Sequence, residues 1–234
     1  MITWCVSYNF DPGLPIKDQV SGYRKIGLNL SYADSKLIKI DHYTKDEEGS
    51  THDEVIQKSG RELGLLWEIL EYRYGIPVRA KKITTQIRPG ASYQTSSVPT
   101  SFGAILVKPI ILPNENRLAS HDHQLTTWLK FANHARNTSD HAEAIRLYYI
   151  IIEGIKGRPR TESHSIAEIE LKHTRDFVSH GESLKNKKLL DFLKGEFGYD
   201  VSRYCPYDHR HIAFMSQQRK KARKIIEEEL NKII

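Results

Sequence analysis

The first half of the chain alternates between apolar and polar positions, the pattern of half-buried strands. In residues 2–10, ITWCVSYNF, every second side chain is large and apolar. These side chains are Ile2, Trp4, Val6, Tyr8 and Phe10. The same alternation predicts strands at 25–32 and 36–43, with a turn at YADS between them.

Helical spacing of apolar residues replaces this alternation from His52 to about Tyr74. Extended segments return at 76–87 and 103–111, and the Gly-, Pro-, Ser- and Thr-rich stretch 88–100 is predicted to be an exposed loop. The first half is therefore predicted to be an α+β domain with a small sheet and one long helix against it.

After Pro113 and Asn114, every periodic segment has helical spacing. The predicted helices cover 121–136, 139–155 and 165–180, a short fourth one begins at 183 and stops near Gly195, and a last one of about 24 residues begins at Asp208. The sequence thus predicts two domains. An α+β domain at 1–112 precedes an all-α helical bundle at 113–234.

Charge and composition narrow the range of partners. The net charge of +6 favours acidic partners, of which nucleic acid is the commonest. The chain has no run of about 18 apolar residues, no signal-peptide pattern and only two cysteines, far apart in sequence. We therefore expect a soluble, cytoplasmic protein that does not enter the membrane.

The stretch HTRDFVSHG, residues 173–181, carries candidate chemistry near the end of a predicted helix. Asp176 and His180 are four residues apart, so on a helix the carboxylate can orient the imidazole. His173 extends this stripe backwards, while Arg175 lies about 140° from His180 around an ideal helix. Histidine transfers protons near neutral pH, and arginine matches the oxygens of a phosphate.

Lysines that suit a phosphate backbone follow this stretch. They are Lys185, Lys187 and Lys188. With His173, they are the candidate RNA-binding residues.

Other pairs in the chain compete for the same role. An arginine followed by a histidine five to seven positions later occurs five times, so the spacing alone has little weight. Arg136 and His141, in RNTSDH, remain an alternative catalytic pair, although TSD is typical of a turn and helix cap.

Two histidine-containing stretches offer ligand types that zinc accepts. The candidate ligands are His121, His123, Cys205, His209 and His211. Neither stretch has the spacing of a four-ligand motif, so no metal and no cofactor is expected.

The C-terminal half resembles the HEPN family, the "higher eukaryotes and prokaryotes nucleotide-binding" helical domains. The likeness rests on RDFVSH followed by glycine, on the apolar helix AIRLYYIIIEGI with its acidic Glu153, and on the number of helices. It covers roughly residues 114–234. Aspartate stands after the arginine, where asparagine is more usual.

The resemblance implies a metal-independent endoribonuclease whose paired motifs meet across a homodimer. Carried over by position, Arg175 would hold the scissile phosphate, His180 would transfer protons and Asp176 would orient His180. A toxin or phage-defence effector that cuts tRNA or mRNA fits this reading, with an antitoxin or regulatory partner as a further possibility. The alternative is a non-catalytic HEPN-like module that binds RNA or protein.

Overall fold

The computed structural model describes residues 2–46, 49–88, 93–97, 109–120, 122–158, 164–179, 186–201 and 203–234. The chain forms two compact units, Met1–Thr127 and Trp128–Ile234. An antiparallel sheet with helices comes first, and the described residues of the second unit are helical or irregular. The predicted fold class, an α+β part followed by a helical part, is confirmed.

Six strands build one sheet in the first unit. They are β1 (Ile2–Pro15), β2 (Gly22–Tyr23), β3 (Leu28–Ala33), β4 (Lys36–Asp46), β5 (Lys82–Arg88) and β6 (Tyr93–Ser97). Their order across the sheet is β2-β3-β4-β1-β5-β6, and all neighbouring strands are antiparallel. β1 lies near the middle, with Val6 opposite His42 on one side and Thr85 on the other.

The alternating pattern of β1 translates into burial, since Val6, Tyr8 and Phe10 are all buried. The predicted turn is also present, with positive φ angles at Asp34 and Ser35. The predicted strand at 2–10 and the predicted turn at YADS are therefore confirmed.

The helical stretch after His52 is divided in two. α1 spans His52–Glu62 and α2 spans Gly64–Tyr74, with Leu63 between them at φ −91° and ψ 6°. Glycines at 60 and 64 weaken the helix on both sides of this point. The prediction of one long helix was therefore wrong in continuity, although both pieces are helical.

The predicted loop at 88–100 contains a strand. β6 pairs with β5, and its tyrosine and threonine are residues that strands favour. Sequence reasoning missed β6 because glycine, proline and serine dominate the stretch around it. Residues 89–92 and 98–108, which hold most of the predicted segment 103–111, lie outside the described residues.

The helices after residue 112 follow the predicted order. They are α3 (Glu115–Ala119), α4 (His123–Asn137), α5 (His141–Lys156), α6 (Ile166–Ser179), α7 (Lys187–Phe197) and α8 (His209–Ile233). The short α3 was not predicted and belongs to the first unit. The long last helix begins after Asp208, whose side chain accepts a hydrogen bond from the Arg210 N–H, as expected of an N-cap.

α5 is the central helix of the second unit and packs against α6 and α8. Tyr148, Tyr149 and Ile152 are at most 2% exposed, whereas Ile150 is 44% exposed. Gly154 permits a close approach to α4, because a Cβ there would lie 2.6 Å from Trp128 Nε1. The apolar run of α5 is therefore buried on all sides except that of Ile150.

Candidate functional site

The start of α6 is fixed by a capping box. The Ser165 N–H donates to Glu168 Oε2 at 2.8 Å, and the Glu168 N–H donates to Ser165 Oγ at 3.3 Å. Glu168 is 3% exposed and also pairs with Lys156 of α5, with 2.6 Å between Nζ and Oε1. The helix that carries the candidate residues is therefore tied to α5 at its first turn.

Asp176 lies between two cations of the same helix. Its Oδ1 is 2.8 Å from Arg175 Nη1, and its Oδ2 is 3.1 Å from Lys172 Nζ. The carboxylate is buried, at 8% exposure for the residue, and a buried carboxylate needs such partners. Two cations against one carboxylate leave one positive charge in this group.

Arg175 rests on an aromatic ring of the central helix. Its guanidinium carbon lies 4.1 Å from the centroid of the Tyr149 ring. Cation–π attraction and the Asp176 carboxylate hold this guanidinium in one orientation. Its side chain remains 20% exposed.

A second arginine contacts the last turn of α6. Arg146 Nη2 donates to the Val178 carbonyl at 2.7 Å, and that carbonyl is among the last four of the helix, which lack intrahelical partners. The Arg146 side chain is 41% exposed. Sequence reasoning missed both Arg146 and Tyr149. The sequence offers one signal for Arg146, which is that it is a single charged residue within the apolar run of α5.

His173 is placed differently from the other candidates. Its ring stacks on Phe192 of α7, with 5.4 Å between centroids and 28° between planes. Burial, followed by the positive charge of Lys172, lowers the pKa of His173 below its ordinary value of 6.5. This shift favours the neutral form of the ring.

Lys187 and Lys188 open α7 and are exposed, and neither forms an ion pair with a described residue. His180 and Lys185 lie outside the described residues. The structure thus brings Arg175, Asp176 and Lys172 together, while the expected contact between Asp176 and His180 stays a prediction.

The alternative pair, Arg136 and His141, belongs to a network with α8. Arg219 Nη2 donates to the carbonyls of Ala135, Arg136 and Thr138 at 2.8 to 3.0 Å, which caps the end of α4. Its Nη1 lies 3.1 Å from His141 Nδ1, and Arg136 pairs with Glu227 at 3.4 Å. Burial and the Arg219 charge lower the pKa of His141. These contacts join three helices, and sequence reasoning missed Arg219.

His211, one of the candidate zinc ligands, is 4% exposed and lies within a cluster of aromatic rings that includes Phe177 and Phe197. Its Nδ1 accepts a hydrogen bond from the Cys205 N–H at 2.9 Å. Across the described residues, no three His, Cys, Asp or Glu side chains are grouped as they would be around a metal ion.

The first unit contains a buried polar chain beside a cleft of about 320 Å³. The Tyr8 hydroxyl donates to Ser59 Oγ at 2.7 Å, and Ser59 Oγ lies 2.8 Å from His42 Nδ1. Glu62 is 3.6 Å from His42 Nε2, which gives the residue types of a hydrolytic triad. Ser59 is fully buried, however, so its hydroxyl joins β1, β4 and α1 rather than meeting a substrate.

In the part of the chain that the structure describes, no helix is both long enough and apolar enough to cross a membrane. No protein-family model, curated protein or solved structure matches the chain.

Proposed function

We propose that the protein is a metal-independent endoribonuclease of HEPN type, with its active site at the end of α6. The single observation that carries this proposal is the guanidinium of Arg175. It is held between Tyr149 and Asp176, on a side chain that is 20% exposed, and it lies five residues before His180 in the sequence. A pre-oriented arginine next to a histidine is what cleavage of a phosphodiester without a metal requires.

The proposed reaction is attack by a ribose 2′-hydroxyl on the adjacent phosphorus. A bond forms between the 2′-oxygen and phosphorus, and the bond from phosphorus to the 5′-oxygen breaks. His180 takes part in moving the proton from the 2′-hydroxyl and in supplying one to the 5′-oxygen. Arg175 binds the non-bridging oxygens, and the products are a 2′,3′-cyclic phosphate and a 5′-hydroxyl.

Asp176 has two proposed tasks. It orients the guanidinium of Arg175, which it contacts at 2.8 Å, and it would orient His180, four residues further on in the sequence. Its negative charge also weakens the attraction of the site for phosphate. Lys172 supports catalysis by balancing that charge at 3.1 Å.

We propose that a homodimer formed through the helical bundle completes the site, since Arg175 and His180 would lie about 140° apart on a continuous helix. An early helix end or a wrapped arginine side chain are the other ways to bring them to one phosphate. RNA, either tRNA or mRNA, is the proposed substrate, and the cytoplasm is the proposed location. A toxin or a phage-defence effector is the corresponding cellular role, with an antitoxin or other regulatory protein as its partner.

A second candidate function has one observation in its favour. Arg175 is contacted by both a carboxylate and an aromatic face, as an arginine with a purely structural role would be. The same surface would then bind RNA or a protein without cutting it. Exposed Lys187 and Lys188 serve either function equally well.

Expression in cells separates these two functions. We expect the wild-type chain to slow growth and to create new RNA ends that carry a 5′-hydroxyl, mapped by sequencing. Arg175→Ala at matched expression should do neither. Normal growth with unchanged RNA ends at high expression of the wild-type chain would contradict the nuclease and favour the binding module.

A further inference from the structure

Three aromatic rings on α6, α7 and α8 form a column that runs from the core of the second unit to its surface. Phe214 is 6% exposed, whereas Phe192 and His173 are half-buried. The centroids of Phe214 and Phe192 are 6.2 Å apart, and those of Phe192 and His173 are 5.4 Å apart. His173 is therefore stacked on Phe192 and, like Phe192, keeps part of its surface accessible to solvent.

The surroundings of the His173 ring have spare positive charge. Lys172 and Lys188 both act electrostatically on the ring, and Lys188 has no carboxylate partner among the described residues. The two carboxylates that face the ring are already paired. Asp176 is paired with Lys172 at 3.1 Å, and Glu170 is paired with Lys221 at 3.0 Å.

The ring itself is poorly suited to proton transfer. Its Nδ1 is buried and finds no hydrogen-bond partner in the part of the chain that the structure describes. Burial, more than any neighbouring charge, favours the neutral imidazole. A neutral, planar and supported ring next to a lysine has the properties of a stacking surface for a nucleobase.

We propose that His173, backed by Phe192, stacks an unpaired base of single-stranded RNA while Lys188 binds the adjoining phosphate. The proposal rests on the proposed function, because it takes RNA as the substrate. His173 and Asp176 are three residues apart and share a face of α6, so the stacked nucleotide lies beside the Arg175–Asp176 pair. The site therefore selects RNA with an unpaired base, since a base within a duplex cannot reach the ring.

Binding experiments test this platform without depending on cleavage. The full-length chain with Arg175→Ala serves as the parent, so that RNA stays intact. Short single-stranded RNA containing 2-aminopurine reports stacking by fluorescence quenching and affinity by anisotropy, and the same sequence in a duplex serves as the comparison. The variants are His173→Leu, His173→Tyr and, as a matched control, His134→Leu at an exposed histidine of α4.

The platform predicts that His173→Leu weakens single-strand binding about tenfold, within the range for one stacked base. It should also abolish the 2-aminopurine quenching. His173→Tyr should restore both, because the ring is kept, and His134→Leu should leave both unchanged. Circular dichroism and thermal unfolding confirm that each variant is folded.

Two results would overturn the platform. The first is that folded His173→Leu binds single-stranded RNA and quenches 2-aminopurine as strongly as the parent does. The second is that the parent binds duplex RNA as tightly as single-stranded RNA. A failure of the proposed function has a different signature. Single-strand binding that depends on His173, in a wild-type chain that never cuts RNA, would keep the platform and reject the nuclease.

Discussion

The guanidinium of Arg175 lies on the ring of Tyr149, with 4.1 Å between the guanidinium carbon and the ring centroid. This contact joins the last turn of α6 to the buried central helix. Because Tyr149 is 2% exposed, its ring is a fixed support and the arginine takes its orientation from it. The candidate site thus depends on a residue that touches no substrate.

Replacement of Tyr149 tests this dependence. Tyr149→Phe keeps the ring and should leave RNA cleavage within about twofold of wild type, since the contact of the hydroxyl with Glu153, at 3.4 Å, is a long one. Tyr149→Leu removes the cation–π attraction, worth about 1–2 kcal/mol when desolvated, and should slow cleavage about tenfold. Cleavage rates under saturating RNA measure the effect. Equal rates in the Phe and Leu variants would show that the ring does not orient Arg175.

Arg146 is expected to stabilise the last turn of α6. Arg146→Ala leaves the Val178 carbonyl without its 2.7 Å donor and should lower the free energy of unfolding by about 1–3 kcal/mol. Urea unfolding measures this change. Lys130→Ala, at an exposed position of α4, serves as the control and should change stability by less than about 0.5 kcal/mol. The contribution of Arg146 is refuted if the two variants unfold alike.

Glu168 links the cap of α6 to Lys156. Glu168→Ala removes the capping-box acceptor and leaves the Lys156 ammonium with Glu229, at 2.9 Å, as its carboxylate partner among the described residues. We expect a loss of about 2–3 kcal/mol in the free energy of unfolding, and a smaller loss for Glu168→Gln, whose amide oxygen can still accept the Ser165 N–H. Thermal or urea unfolding distinguishes the two variants. If both variants lose the same free energy of unfolding, the effect comes from the negative charge of Glu168 rather than from the capping hydrogen bond.

The contact between His141 and Arg219 predicts a pH dependence of stability. Burial first, and then the Arg219 charge, lower the pKa of His141 in the folded chain below 6.5, despite the opposing Asp140. The unfolded chain therefore binds the proton first as pH falls. The contribution of His141 to stability is complete well above pH 6.5. It is lost as the pH drops through 6.5 toward the pKa of His141 in the folded chain.

Urea unfolding of the second unit between about pH 8 and pH 5 measures this loss. His141→Gln keeps an acceptor for Arg219 without titrating, so its stability should depend less on pH. A pH dependence identical to that of wild type would remove His141 from the explanation.

The sequence was most informative where a structural element is decided by its own residues. The alternation in 2–10, the box of Ser165 and Glu168, and the start of α8 at Asp208 all follow from local chemistry. β6 did not, because pairing with β5 overrode the local pattern. The break at Leu63 has a local cause in Gly60 and Gly64, but the helical spacing of apolar residues continues across it.

The same distinction applies to the candidate site. The positions of Arg175 and Asp176 in one turn of α6 follow from their spacing. Contacts to Tyr149 and Arg146 do not, since residues 26 to 32 positions apart in sequence meet only when α5 and α6 pack together. The full role of Arg219, which joins α4, α5 and α8, likewise needed the folded chain.

The central claim is that Arg175 and His180 cleave RNA together without a metal. The most direct measurement incubates purified chain with RNA in EDTA and identifies the ends of the products. Wild type should produce 2′,3′-cyclic phosphate and 5′-hydroxyl ends, and Arg175→Ala and His180→Ala should each lower the rate at least about 100-fold. His141→Gln, at the alternative pair, should cut as wild type does. Full cleavage by folded Arg175→Ala or His180→Ala, or loss of cleavage only in His141→Gln, would contradict the account.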